Sequence, residues 1–130
     1  MKKNLKLKML NSEFAVCKLK NLKDAVLTGE FASLTATDEE ISLVCPVQDA
    51  PQDCLALESG WRCIKILGPL DFSLIGILSE VSVTLAEKQI SIFAVSTYNT
   101  DYILVKADRA EDAVNALKEK DCDFQEEFGR

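Results

Sequence analysis

No histidine occurs in the 130 residues. That excludes Ser-His-Asp and Cys-His catalysis, imidazole acid–base chemistry and every zinc site built on imidazole. Glycine is scarce, at positions 29, 60, 68, 76 and 129. This spacing allows neither a GxGxxG loop nor a phosphate-binding P-loop, and there is no GxSxG nucleophile elbow. Positive charge is in deficit: 15 Lys and Arg stand against 21 Asp and Glu, a net charge of −6. A general phosphate-binding surface needs clustered cations, so no nucleic-acid partner is expected. Long apolar runs are missing too. The longest, Leu74–Leu78 and Ile92–Val95, are far too short to span a bilayer. The start, MKKNLKLKML, is basic, but Lys6 and Lys8 interrupt its apolar residues, so it does not read as a signal peptide. The expectation is a cytoplasmic chain with no membrane contact.

The five cysteines, Cys17, Cys45, Cys54, Cys63 and Cys122, are odd in number and form no CxxC pair. Neither a disulfide framework nor a four-cysteine metal cluster fits that spacing. Cys17, Cys45 and Cys63 sit in apolar runs and read as buried small hydrophobes in a reducing compartment. No metal and no cofactor is expected. Of these thiols, Cys63 and Cys122 are the nucleophiles worth testing for an enzyme, and neither has a base nearby in sequence.

What is present is an ordinary globular balance, 48% hydrophobic and 28% charged. The length suits one domain or two compact halves of ~60 residues. Alternation of Leu5, Leu7 and Met9 with lysines predicts a strand with one solvated face. Trp61–Leu67 predicts a strand stopped by Gly68-Pro69. Asp71 then reads as a helix N-cap. Leu74, Leu78, Val81 and Leu85 fall on one stripe of a helix running to about Lys88. Ile90–Thr97 and Tyr102–Lys106 predict strands, and the short segment between them forces an antiparallel hairpin. Asp108 and Glu111 are spaced as a capping box for a helix that buries Ala110, Ala113, Val114 and Leu117. Cys122–Phe128 predicts a closing strand.

This β-α-β-β-α-β order predicts an α+β, ferredoxin-like unit with a four-stranded antiparallel sheet and both helices on one face. The first half carries fragments of the same plan. FASLT at Phe31–Thr35 resembles FAVST at Phe93–Thr97, and Ile41–Val44 falls against Ile103–Lys106, both at an offset of 62. Val16–Leu19 resembles Cys63–Ile66 at an offset of 47. The fifteen residues missing from the first copy are most of a helix. Asn21–Glu30 has room for one or two turns, and Asp49–Gly60 is a poor helix. The expectation is a tandem of a degenerate half, residues 1–59, and a complete half, residues 60–130.

The carboxylate pairs Glu39-Glu40 and Glu126-Glu127 are most simply solvation. Asp49 and Asp53 read as turn residues. Gly68–Ser73 is more suggestive, because it joins a strand to a helix start. Such a junction offers free N–H groups to a carboxylate. Ser73 adds a hydroxyl, and Asp71 or Asp101 supplies an acceptor for an ammonium. Together these are the two kinds of partner an α-amino acid needs. Asp71 capping its own helix is the structural alternative.

From Gly68 to about Lys120 the residues GPLDFSLIGIL, ISIFAVSTYNTDYILV and the following helix resemble an ACT domain, more narrowly the small ACT-domain proteins. ISLVCP at Ile41–Pro46 and GWRCIKI at Gly60–Ile66 are similar to that family as well. The same domain type resembles the regulatory regions of aspartate kinases and the cytosolic arginine-sensing CASTOR proteins. The resemblance implies a non-catalytic regulatory module that binds a small ligand, usually an amino acid. It implies a site at Gly68, Asp71, Phe72, Ser73, Ile75 and Gly76 with Ser96, Thr97, Asn99, Thr100 and Asp101. It also implies a protein partner, either a second copy or a regulated protein. A ligand-free interaction or dimerisation module is the competing reading.

Overall fold

The computed structural model describes residues 5–67 and 76–125. Its elements are β1 (Lys6–Met9), β2 (Phe14–Lys18), β3 (Ser33–Ala36), β4 (Ile41–Pro46), β5 (Ala56–Ile66), α1 (Ile77–Glu87), β6 (Phe93–Ser96), β7 (Asp101–Lys106), α2 (Ala110–Lys118) and β8 (Asp123–Phe124). Single 3-10 turns lie at Leu22–Asp24, Val47–Asp49 and Ala107–Arg109. The chain forms two compact units, Asn11–Trp61, and Met1–Leu10 together with Arg62–Arg130. The long strand β5 contributes residues to each.

In the C-terminal unit the strand order is β6-β7-β5-β1-β8. The sequence predicts four antiparallel strands here. The sheet is instead mixed, because β1 inserts between β5 and β8. Leu7 pairs with Ile66 of antiparallel β5 on one side and with Phe124 of parallel β8 on the other. The reason is apolar alternation: Leu5 and Leu7 both point into the core and so extend the buried face of the sheet. β8 is held by Asp123 N–H donating to Leu5 O (2.9 Å) and Gln125 N–H to Leu7 O (2.8 Å).

Ile64 and Ile66, Ile103 and Val105, and Leu5 and Leu7 form one face of this sheet, and Ile77, Val81, Leu85, Ala113, Ala116 and Leu117 pack against it. Both helices therefore cover the same face. Burying each of these Leu, Ile and Val side chains contributes about 1.5–3 kcal/mol. Ala116 takes the buried place expected of Val114, which is only half-buried.

The helix starts differ from expectation. α1 begins at Ile77, with Gly76 at the N-cap in the left-handed region (φ +86°). Asp71 lies outside the described residues. The Asp108–Glu111 capping box does not form, because Ala107–Arg109 winds as a 3-10 turn and Arg109 takes the N-cap place of α2.

The helix ends share one device. After α1, Gln89 adopts φ 60°, Ile90 N–H reaches back to Leu85 O (3.0 Å), and Gln89 N–H to Ala86 O (2.9 Å). After α2, Asp121 adopts φ 68°, with Cys122 N–H on Leu117 O (3.2 Å) and Asp121 N–H on Lys118 O (3.1 Å). Both are Schellman stops, each carried by a non-glycine residue. Arg109 reinforces the first by donating to the carbonyls of Lys88 and Gln89 at 3.2 and 3.3 Å.

In the N-terminal unit the order is β3-β4-β2-β5, and every pairing is antiparallel. Where a ferredoxin-like unit has helices, this one has only the turns Leu22–Asp24 and Val47–Asp49. Its core cluster is Ala15, Cys17, Leu19, Leu43 and Cys45, packed by Ala25, Ala32, Ala50 and Cys54 among others. Small side chains let the covering loops approach the sheet closely. Phe14 and Phe31 stack edge to face at 6.0 Å. β5 bulges against β2: Phe14 pairs with Trp61, but Val16 pairs with Glu58. Gly60 absorbs the extra residue at φ +83°, and its N–H donates to Glu13 Oε2 at 3.0 Å.

The two hairpins share one register. Ser33 pairs with Val44 and Ala36 with Ile41, while Phe93 pairs with Leu104 and Ser96 with Asp101. Thr37 N–H meets Glu40 O at 2.9 Å, and Thr97 N–H meets Thr100 O at 2.8 Å. A 3-10 turn follows each hairpin, at Val47–Asp49 and Ala107–Arg109. The equivalence therefore runs at an offset of 60, not the 62 of the FASLT and FAVST similarity. Side chains alternate with a period of two, so a two-residue slip preserves the apolar face and the sequence pattern cannot distinguish the two offsets.

Gly60→Ala should destabilise by about 1–2 kcal/mol, since a Cβ there meets no atom within 4 Å and the cost is the left-handed backbone alone. Gln89→Gly should stabilise by up to about 1 kcal/mol for the same reason with opposite sign. Urea midpoints measure both.

Burial chiefly, then repulsion from Cys17 and Asp49 and donation to Cys17, pushes the Cys45 thiol from 9.0 up to about 12. Unfolded, this thiol ionises near pH 9; folded, it resists. Its stabilisation is therefore complete below pH 9 and is lost as pH rises toward 12, at up to about 1.4 kcal/mol per pH unit. Denaturation at pH 8 and pH 10.5 should show that loss, and Cys45→Ala should reduce it.

Candidate functional site

The hairpin of β6 and β7 closes through Thr97, Tyr98, Asn99 and Thr100. Thr97 Oγ1 donates to Thr100 O at 2.9 Å and accepts from Thr100 N–H at 3.3 Å. The side chain thus holds the turn's two ends together, as threonine does in such turns. Thr100 itself is buried, and its hydroxyl donates to the carbonyl of Ile66. That bond ties the hairpin turn to the last residue of β5. The segment expected to carry the rest of the site begins two residues later.

Register places Ser96 directly opposite Asp101. Directly opposed residues point the same way, with Cβ atoms about 4.5–5.5 Å apart. Ala94 and Ile103, two residues inward, are also opposed, and Ile103 lies in the helix-side core. Ser96 and Asp101 therefore point to the face on which α1 and α2 pack. Ser96 and Asn99 are exposed and Asp101 is half-buried. A carboxylate beside a hydroxyl at this sheet end can accept from an ammonium or a guanidinium.

On the opposite face Lys65 Nζ lies 5.9 Å from the centroid of the Tyr102 ring. Burial, and secondarily the Cys63 thiol, raises the Tyr102 phenol.

The structure thus brings together Ser96, Thr97, Asn99, Thr100 and Asp101, and sets Gly76 at the head of α1. Gly76 O accepts Glu80 N–H at 2.8 Å and opens the helix. Gly68, Asp71, Phe72, Ser73 and Ile75 lie outside the described residues. The threonine hydroxyls are committed to carbonyls inside the fold, so Thr97 and Thr100 set the turn's shape. The Thr100–Ile66 tether was not legible in the sequence, because nothing local marks a turn hydroxyl that bonds 34 residues away.

Among the described residues, surface clefts also lie away from the hairpin. One of about 240 Å³ is lined by Ser79, Glu80, Val83, Thr84, Glu87 and Lys120. Another, about 260 Å³, runs along Lys88, Arg109, Asp112, Asn115 and Glu119. Both sit on the helices, with mixed charge and shallow walls. Cys122, one of the two thiols worth testing for an enzyme, is buried, and burial raises its thiol, with Asp123 and Asp121 adding to the effect. Cys63 is fully buried. Among the described residues, no group of three or more Cys, Asp or Glu could hold a metal ion. Among them too, no helix is long and apolar enough to cross a membrane.

Comparison with known proteins defines the class. Residues 56–119 match the ACT domain family. A matching segment of 74 residues is 34% identical to the human protein named cytosolic arginine sensor for mTORC1 subunit 1; it covers 54% of this chain and 22% of that one. The chain thus spans about a fifth of the length of that relative. Among solved structures, protein Atu0741 of Agobacterium tumefaciens is 32% identical, with a TM-score of 0.85, over 99% of this chain and 98% of that one. Aspartate kinase of Clostridium acetobutylicum, 12% identical, shares the fold with a TM-score of 0.65 over 92% of this chain and 36% of that chain.

Thr100→Val keeps the shape of the side chain but leaves the Ile66 carbonyl without its donor. The expected cost is about 1–3 kcal/mol, read by urea denaturation, with faster amide exchange at Thr97 and Thr100.

Proposed function

We propose that this chain is a regulatory module that binds a free amino acid and carries out no catalysis. The observation that carries the reading is the Ser96–Asp101 pair, turned to the helix side of an ACT domain and held at the end of β5 by Thr100. Asp101 takes the ligand's ammonium or guanidinium group. The N–H groups about the start of α1 take its carboxylate, in the region of Gly68, Asp71, Phe72, Ser73, Ile75 and Gly76. The human relative's name, an arginine sensor, supports an amino acid as the ligand class. It also agrees with a cytosolic setting, as do five free cysteines.

On this reading the chain is a tandem. A reduced ACT-like half precedes the complete one, and the shared hairpin register at an offset of 60 supports the duplication. Ligand preference for one conformation then sets the regulatory coupling, and its output passes through a partner: a regulated protein or a second copy of the chain. A specific observation favours the competing reading of an interaction module. Leu22, Leu27 and Leu55 in the N-terminal unit are 54%, 56% and 60% exposed, large apolar side chains that a partner surface would cover.

Thermal melting with each of the twenty amino acids at millimolar concentration distinguishes the two. A ligand present at ~100 times its dissociation constant adds ~2.7 kcal/mol, a rise of several degrees at this size. Asp101→Ala should abolish that rise while the unliganded protein melts nearly unchanged. A melting point that responds to protein concentration and to none of the twenty compounds would replace the sensor with the interaction module.

A further inference from the structure

The small core of the N-terminal unit holds three of the five cysteines together. Cys17 and Cys45 lie on the same face of adjacent strands. Cys17 pairs with Leu43 and Ala15 with Cys45, so the two cysteines are diagonal neighbours. Both side chains lie in the same buried cluster. Cys54 packs against this cluster from the loop before β5. Its flanking residues are pinned to the end of β2. Leu55 N–H donates to Lys18 O at 2.8 Å, and Lys20 Nζ contacts Asp53 Oδ1 at 2.7 Å. The Cys54 thiol itself turns back to Ala56 O at 3.4 Å. Cys54 thus packs against the cluster that contains the Cys17 side chain.

The three thiols differ in access. Cys17 and Cys45 are buried, 2% and 0% exposed, whereas Cys54 is half-buried. Burial shields both inner thiols from oxidants in solution and also raises them. Cys54 stands at the surface of a cluster whose inner members oxidants cannot reach.

We propose that Cys54 is a peroxide-oxidised modification site and that Cys17 captures the product as an intrachain disulfide. The Cys54 thiolate attacks one peroxide oxygen. The S–O bond forms, the O–O bond breaks, and hydroxide leaves to be protonated to water. Cys17 sulfur then attacks the Cys54 sulfenic sulfur. The S–S bond forms, the S–O bond breaks, and the departing hydroxide takes the Cys17 proton as water. Two thiols are oxidised and one hydrogen peroxide is reduced to two waters. Cys45 takes no part in the link. The cross-link joins the loop before β5 to β2, so a reducing agent reverses it without other change to the chain.

The test treats the whole chain with hydrogen peroxide at neutral pH, quenches it and blocks residual thiols after denaturation. The number of titratable thiols should fall by two, with a mass loss of about two hydrogens and full recovery on reduction. Trypsin alone leaves Cys45 and Cys54 in one peptide, Asp24–Arg62. A second cut before Asp49 separates them, and the Cys17 peptide should then be linked to the one holding Cys54. Cys54→Ser and Cys17→Ala should each abolish the internal link, and Cys45→Ala should retain it. Mapping of the unsubstituted chain decides the matter even where a variant folds poorly. A link from Cys17 to Cys45, a link between two chains through Cys54, or no loss of thiols would overturn the proposal.

Discussion

The C-terminal unit rests on one apolar layer. Ile64 and Ile66 of β5, Ile103 and Val105 of β7 and Leu7 of β1 present a continuous face, and Val81, Leu85 and Leu117 close over it. The elements around that layer are arranged to keep it dry. Two Schellman stops end the helices where their last apolar residues, Leu85 and Leu117, have docked. Ile90 and Cys122, the residues just past those stops, return to the same core. β1 joins the sheet because its alternating leucines widen the face that two helices must cover. The adjoining hairpin turn depends on the same layer, since Thr100 reaches Ile66 only when β7 and β5 lie side by side.

The N-terminal unit shows what the same strand plan does without helices. Its hairpin has the register and turn bonds of the later one. In place of helices, loops bring Ala25, Ala32, Ala50 and Cys54 against Ala15, Cys17 and Cys45. Small residues are required there because backbone, not side chains on a helix, fills the second layer. A thin layer covers less, and the leucines of the covering segments stay exposed. The same compaction brings three thiols together in a chain whose cysteine spacing has no pairing signature.

Position in the sheet gives the candidate site its chemistry. Asp101 is an ordinary carboxylate at the start of a strand. Its placement opposite Ser96, on the face that carries the helices, comes from register. Thr97 and Thr100 are equally ordinary in sequence, and their hydroxyl protons hold the turn and its tether.

Composition alone removed imidazole chemistry and phosphate loops, and periodicity located the strands, both helices and the antiparallel hairpin. GPLDFSL and the FAVSTYNTDYILV stretch pointed to the ACT family. These features are local, carried by residue type and spacing within a few turns or one strand. The insertion of β1 between β5 and β8, the offset of 60 between hairpins and the Thr100–Ile66 bond were decided only by tertiary structure. Each depends on partners far apart in the chain. A period-two pattern is unchanged by a two-residue slip, and a strand's alternation does not say which neighbour it will find.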